Sequence, residues 1–311
     1  MSAVGIKRFF RFVEIETKLA TLIPALVALA YVFYTTGTIN VRSMVIYFVA
    51  ALFLDMSVTA INNHLDQRED PNQTPHYGTV VSLAVICTML LIFAVLGSYL
   101  AYLHGLTVLL AGLLCLIVGV AYTFGPAPIS KSPYGELAAG FIAGTMIMFI
   151  VVSINNPAFD PLGLAFDRAE WRLMMNIDLV GLLSFGLITL PAAFCAANIM
   201  LANNICDAEK DRPFRYTLVH SLGRAKSLYL FAALYYGSYF AIVLASLLGI
   251  LPLWSLLTLG TLPLVQKNIR LFFREQDKRT TFILAVKNFT LILLVFACSI
   301  VLGGIVALLL N

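Results

Sequence analysis

Apolar runs of close to 20 residues recur from one end of this 311-residue chain to the other, and they constrain its fold more than any other feature. About 20 apolar residues in a helix cross the hydrocarbon core of a bilayer. Inside lipid every backbone polar group needs an internal partner, so a spanning chain is helical or a closed barrel. The ten-residue alternation of a barrel is missing. Charged residues make up 12% of the chain and hydrophobic ones 60%; a soluble domain carries about 25% charge. The expected fold is all-α: a polytopic membrane protein, a single domain over 1–311, with nine transmembrane helices enclosing a central cavity. The spans read 17–35, 43–63, 79–101, 105–123, 136–155, 178–204, 226–249, 252–268 and 283–310, broken at turn-prone or charged stretches.

Lys and Arg in the loops set orientation. With the N-terminus in the cytoplasm, 16 basic residues fall inside and three (Arg42, Arg168, Arg172) outside, with Lys287 in the last span. The expectation is a multi-pass cell-membrane protein, N-terminus cytoplasmic and C-terminus outside. Adding or removing one helix before the 205–226 loop would reverse the later basic loops, so the charge bias also supports the count. The segment up to Arg11, with Lys7 and Arg8, lacks a cleavable signal pattern and reads as a short interfacial helix. Five scattered cysteines without C-x-x-C indicate neither a disulfide framework nor a zinc site. There is no nucleic-acid signal, and no glycine motif for ATP or NAD.

Two segments share the pattern N-N-x-x-D-x-x-x-D: Asn62, Asn63, Asp66, Asp70 and Asn203, Asn204, Asp207, Asp211. Both fall at cytoplasmic ends of spans. Steps of four advance a helix by about 40° net, so Asn62, Asp66 and Asp70 share one face, as do Asn203, Asp207 and Asp211. Clustered carboxylates repel without cations between them, and Mg²⁺ takes oxygen ligands and bridges carboxylates to phosphates. Two such faces form a clamp for a diphosphate. The plainer alternative is a pair of polar helix ends paired with loop arginines. A cation-coupled transporter also uses intramembrane acids, although its acids usually sit near the midplane on broken helices.

At these motifs the chain resembles the UbiA-type intramembrane prenyltransferases, and the resemblance spans nearly its whole length. Three further stretches are similar to the 1,4-dihydroxy-2-naphthoate prenyltransferases of menaquinone synthesis: Val13–Lys18; Tyr122–Pro128 with Gly135-Glu136-Leu137; and Asn203–Asp207 with Arg215-Tyr216-Thr217-Leu218. Asn63 departs from the pattern, standing where the family has its first Asp, which implies weaker or rearranged metal binding. The resemblance implies that Asn62, Asp66, Asp70, Asn203, Asp207 and Asp211 bind Mg²⁺ and hold a polyprenyl diphosphate. An allylic cation then forms, the naphthoate ring attacks it, and carboxylate loss gives demethylmenaquinone. A sibling enzyme would use 4-hydroxybenzoate, homogentisate or haem as acceptor.

Arg68, Lys131, Arg212 and Arg215 are candidate diphosphate neutralisers, with plain positive-inside charge as the alternative. Lys18 is a candidate for the naphthoate carboxylate or the diphosphate, or else pairs with Glu14 one turn earlier. Tyr122 is a candidate hydrogen-bond donor to phosphate or ring-face stabiliser of the cation, or an interfacial anchor. Glu69, seven residues beyond Asn62 and close to the same face, is a candidate spare ligand. His64 and His76 read as solvated loop residues, and His104 and His220 carry no signal. Phe and Tyr enrichment suits a prenyl tunnel, or lipid-facing packing.

Overall fold

The structure is a computed structural model that describes residues 3–69, 77–167, 170–212 and 215–310. Asp70, His76 and Arg168 lie outside the described residues, as do the side chains of Arg68 and Glu69. The chain begins with α1 (Ala3–Phe12), the expected short leading helix, and a 3-10 turn over Ile15–Lys18. Then come α2 (Leu19–Thr36), α3 (Val41–Glu69), α4 (Thr79–His104) and α5 (Leu106–Thr123). After a 3-10 turn at Ile129–Lys131, α6 (Gly135–Ala139), a π-helical stretch (Gly140–Met146) and α7 (Ile147–Asn155) form one continuous span. The second half holds α8 (Leu179–Asp211), α9 (Leu218–Leu222), α10 (Arg224–Leu247), α11 (Leu262–Arg274) and α12 (Phe282–Leu310). Among the described residues seven helices are long and apolar enough to cross a membrane, and Thr21–Thr36 is a shorter apolar helix.

Several expectations need correction. The predicted helix 252–268 is a 3-10 stretch, Leu253–Thr261, followed by α11, which runs on to Arg274. Pro252 and Pro263 explain the change: a proline lacks the N–H that a continuous helix would use and favours a fresh helix start. Segment 156–177, expected as a plain loop, contains a small antiparallel hairpin, β1 (Ala165–Asp167) with β2 (Arg172–Met174). Both motif helices outrun their expected ends. No Gly or Pro interrupts either motif, and α3 and α8 stop two residues short of Pro71 and Pro213, where proline restricts the residue before it. Asn62, Asn63 and Asp66 of the first motif and all four residues of the second are therefore helical, and His64, expected in a solvated loop, is buried within α3.

The main core lies among α2, α7, α8, α10 and α12, where Phe231, Tyr235, Phe289 and Phe296 are fully buried. Gly140 and Gly144 bring the π-helical stretch hard against α8: a Cβ on Gly144 would lie 2.2 Å from Ala193 Cα, and one on Gly140 2.7 Å from Ala193 O. Small residues four apart allow this kind of close backbone approach between helices in membranes. The contact fixes α6 beside the end of α8 that carries the second motif.

A cavity of about 420 Å³ lies to one side of this core. Its wall comes from α2 to α5, the α6–α7 span and α8, with no residue from α10 to α12. The expected enclosure by all nine helices is thus narrower and off-centre. The wall is built largely of Leu, Ile, Val, Ala and Gly, and Tyr47, Phe93 and Tyr122 are its aromatic members. Phe and Tyr enrichment therefore mostly serves the core and the outer surface, because small residues are what leave room between helices.

Candidate active site

Both motifs continue faces that line the cavity. On α3, Asp55 and Val58 lie in the cavity wall; Asn62 is seven and four residues beyond them, and Asp66 follows four later. On α8, Ile199 and Met200 line the cavity, with Asn203 four residues beyond the first and Asp207 seven beyond the second. Offsets of four and seven keep residues on one helical face. Amphiphilic continuity of two helices thus joins an apolar chamber to polar, oxygen-rich ends.

The first motif closes on itself, Asn62 Nδ2 donating to Asp66 Oδ2 at 2.9 Å. Asn63 turns to the other side and donates to Phe12 O at 3.0 Å and Glu14 Oε1 at 3.2 Å. A carboxylate at position 63 could not donate to a carbonyl, so this amide has a structural task that the family's usual Asp would not perform. In the second motif a cation from another loop enters: Lys278 Nζ donates to Asp207 Oδ2 at 2.7 Å and to Asn203 Oδ1. The same ammonium lies over the Phe282 ring, 5.1 Å from its centroid. In the sequence Lys278 stands out only as one of the inside charges. A basic residue in the loop before the last span is the only hint, and nothing in its spacing links it to Asp207.

Asn204, the second asparagine of that motif, is buried and donates to Glu136 Oε1 at 2.8 Å. Glu136 is 4% exposed, and its Oε2 is buried with no hydrogen-bond partner. Tyr122, in the last turn of α5, lines the cavity, and its hydroxyl is likewise buried and unpartnered. That hydroxyl is 3.8 Å from where a Cβ on Gly135 would sit, beside Glu136.

Lys18 does not pair with Glu14. It is 8% exposed and donates to Asp55 Oδ1 at 2.9 Å and Thr59 Oγ1 at 2.6 Å, while Thr21 donates to Asp55 Oδ2 at 2.5 Å. Pairing four residues apart needs continuous helix, and the chain breaks between them: Glu14 has φ +47° and a 3-10 turn follows. Asp55 is the charged residue of the cavity wall, and no motif marks it in the sequence because it lies inside an apolar run.

The loop candidates gather near the second motif. Tyr216 N donates to Lys131 O at 3.1 Å, and Arg215 N to Asp211 O at 2.9 Å, which ties both loops to the end of α8. Arg212 is exposed there. His220, unassigned from sequence, completes the capping box of α9 with Thr217, and its Nε2 bonds Ala208 O at 2.8 Å, folding the loop back onto the motif helix. His104 bonds Ser43 Oγ at 2.8 Å.

Among the described residues no group of three or more His, Cys, Asp or Glu side chains gathers closely enough to hold a metal. The donor chemistry nevertheless fits Mg²⁺. Asn62, Asp66, Asn203, Asp207 and Asp211 offer amide and carboxylate oxygens, which a hard cation prefers. Asn203 and Asp207 already grip one positive charge, the Lys278 ammonium.

Solved structures of similar shape have low sequence identity. A UbiA homolog from Archaeoglobus fulgidus bound to GPP and Mg²⁺ superposes with a TM-score of 0.66 at 14% identity, covering 95% of this chain and 99% of that one. Its form bound to DMAPP and Mg²⁺ gives 0.65, also at 14% identity, over 95% and 98%. The fold is therefore shared. Among curated proteins, the 1,4-dihydroxy-2-naphthoate octaprenyltransferase of Bacillus subtilis is 27% identical over 58% of this chain and 51% of its own length. That of Escherichia coli is 28% identical over 64% and 57%. The chain spans little more than half the length of these relatives. The model of the UbiA prenyltransferase family matches residues 21–294, nearly all of the helical body just described, and the chain belongs to that family.

Proposed function

We propose that this protein transfers a polyprenyl group from polyprenyl diphosphate to 1,4-dihydroxy-2-naphthoate in a Mg²⁺-dependent reaction. The observation that carries the reading is the continuity of both motif faces with the cavity-lining faces of α3 and α8. It provides polar oxygen ligands for a diphosphate head and, directly beyond them, an apolar chamber for the chain. The names of the curated relatives support the naphthoate as acceptor.

Asn62, Asp66, Asn203, Asp207 and Asp211, with Asp70, would hold Mg²⁺, which when bound supplies positive charge to the departing diphosphate. Arg68, Lys131, Arg212 and Arg215 neutralise the remaining charge. The C1–O bond of the prenyl diphosphate breaks, and its electron pair leaves with the diphosphate. The naphthoate ring donates a pair to C1, and loss of the carboxylate as CO₂ leaves the hydroquinone. Two-electron oxidation outside this reaction gives demethylmenaquinone. The apolar wall excludes water, which would otherwise capture the allylic cation.

Purified protein in detergent with Mg²⁺, an all-trans polyprenyl diphosphate and the naphthoate is expected to release CO₂ and form a prenylated naphthohydroquinone, which oxygen of the air then oxidises to the quinone that is read. Comparable product from 4-hydroxybenzoate, or none from the naphthoate, would move the assignment to a sibling enzyme. We further propose nine membrane crossings with both motifs cytoplasmic. Single cysteines at Gln73 and Asp160 should react with an impermeant thiol reagent from opposite sides, and labelling from one side overturns that arrangement.

A further inference from the structure

Three side chains with buried polar atoms, Tyr122, Glu136 and Asn204, lie where α5, α6 and α8 meet beside the second motif. Asn204 Nδ2 and Glu136 Oε1 satisfy each other at 2.8 Å. Glu136 Oε2 and the Tyr122 hydroxyl have no partner, and both are shielded by the protein. Buried polar groups in folded proteins are almost always bonded, so two adjacent exceptions require an explanation. Leaving such a group unbonded is destabilising, and here it happens twice at one spot. Packing alone does not demand it. Gly135 passes close to the Tyr122 hydroxyl, 3.8 Å from where its Cβ would sit, and Ala138 and Ala139 of the same helix line the cavity.

From this geometry we infer that Glu136 and Tyr122 form the hydroxyl-binding site for the aromatic acceptor, with Asn204 as a positioning residue that aims the Glu136 carboxyl. The inference rests on the proposed function for the identity of the acceptor. The chemical class follows from the atoms. A carboxylate oxygen accepts a hydrogen bond and a phenol gives or takes one, so together they suit a ring with two hydroxyls better than a ring with one. Holding an acceptor O–H against the carboxylate also increases the oxygen's electron donation into the ring, as attack on an allylic cation requires. The site stands beside Asn203 and Asp207, where the reacting end of a diphosphate ester would be held. A site built to hydrogen-bond a hydroxyl rejects analogues that lack it, because its own groups are then left unpaired.

The test is a variant-by-analogue cycle read by binding and by kinetics. Glu136→Gln keeps an oxygen for Asn204 and can replace the free oxygen with a donor; Tyr122→Phe removes one hydroxyl from the cavity wall and tests the site even if the first variant folds poorly. Binding of 1,4-dihydroxy-2-naphthoate and of 1-hydroxy-2-naphthoate is followed by naphthoate fluorescence without prenyl diphosphate. In the wild type, loss of the second acceptor hydroxyl should weaken binding about tenfold, as expected for one buried hydrogen bond. In the site variants the same change should have little further effect. Acceptor KM should rise about tenfold in each variant, with the KM for prenyl diphosphate unmoved. Additive losses in the cycle, or equal rises in both KM values, overturn the inference. Failure of the wild type to prenylate the naphthoate overturns the functional reading alone, since the binding cycle does not depend on turnover.

Discussion

The two N-N-x-x-D-x-x-x-D segments have the same spacing, and the fold treats them differently. Each second asparagine donates to a glutamate from another element: Asn63 to Glu14 at 3.2 Å, Asn204 to Glu136 at 2.8 Å. The first contact is at a surface, on a turn with φ +47°. The second is buried next to the cavity. Each first asparagine and first aspartate differ as well. Asn62 and Asp66 bond each other, whereas Asn203 and Asp207 share the Lys278 ammonium. Spacing specifies which residues share a helix face, but the neighbouring elements decide what that face meets.

The strongest way to break the comparison is to remove a charge from each motif. Asp66→Asn and Asp207→Asn should each lower kcat/KM by roughly 100-fold or more, in line with losses when a key electrostatic group is removed. Both proteins should still insert and purify normally. Near wild-type turnover by both would end the metal-clamp reading; a loss confined to one would show that the motifs divide the work. A smaller effect separates the two glutamate contacts. Asn204→Ala deprives a buried carboxyl of its side-chain partner and should cost about 1–3 kcal/mol in thermal unfolding. Asn63→Ala, at the surface, should cost less than about 1 kcal/mol. Equal losses would mean that burial does not distinguish the pair.

Lys278 gives the next contrast. Its bridge to Asp207 joins side chains 42% and 24% exposed, and solvent screening holds such a pair to about 0–1 kcal/mol. Lys278→Gln should therefore change stability little, yet bind Mn²⁺ more tightly in a spin-resonance titration, because no ammonium competes for the oxygens of Asn203 and Asp207. Unchanged or weaker Mn²⁺ binding would show that Lys278 does not compete for that site. The smallest effect is at Asp277. Backbone N–H groups of Arg279 and then Thr280 hold its carboxyl below the ordinary value of 3.8. A lowered carboxyl pKa in the folded state contributes stability above the unfolded pKa and loses it as pH falls through the folded one. A slight flattening of the stability profile below about pH 4 is expected for Asp277→Asn, and an unaltered acid limb would remove Asp277 from the factors holding this turn.

Much of the site is legible in the residues because helical periodicity is local. Asn62 with Asp66, and Asn203 with Asp207, are placed on common faces by spacing alone. Lys18 shows where that logic stops: a neighbour four residues away looked like a partner, but a break in the helix sent its ammonium to Asp55, 37 positions along the chain. Glu136 was visible only as part of a resemblance, since a lone glutamate entering a span carries no periodic signal.

The sequence by itself determined the membrane setting, the helical class, the paired motifs and their oxygen-donor chemistry. These follow from apolar run length, from the need to satisfy the backbone in lipid, and from residue offsets along one helix. Tertiary structure alone decided which motif receives Lys278, which asparagine is buried against Glu136, and on which side of the core the cavity opens. Those outcomes depend on close approaches between distant segments, such as Gly140 and Gly144 against Ala193. No local pattern encodes them, because a contact energy exists only after two helices have met.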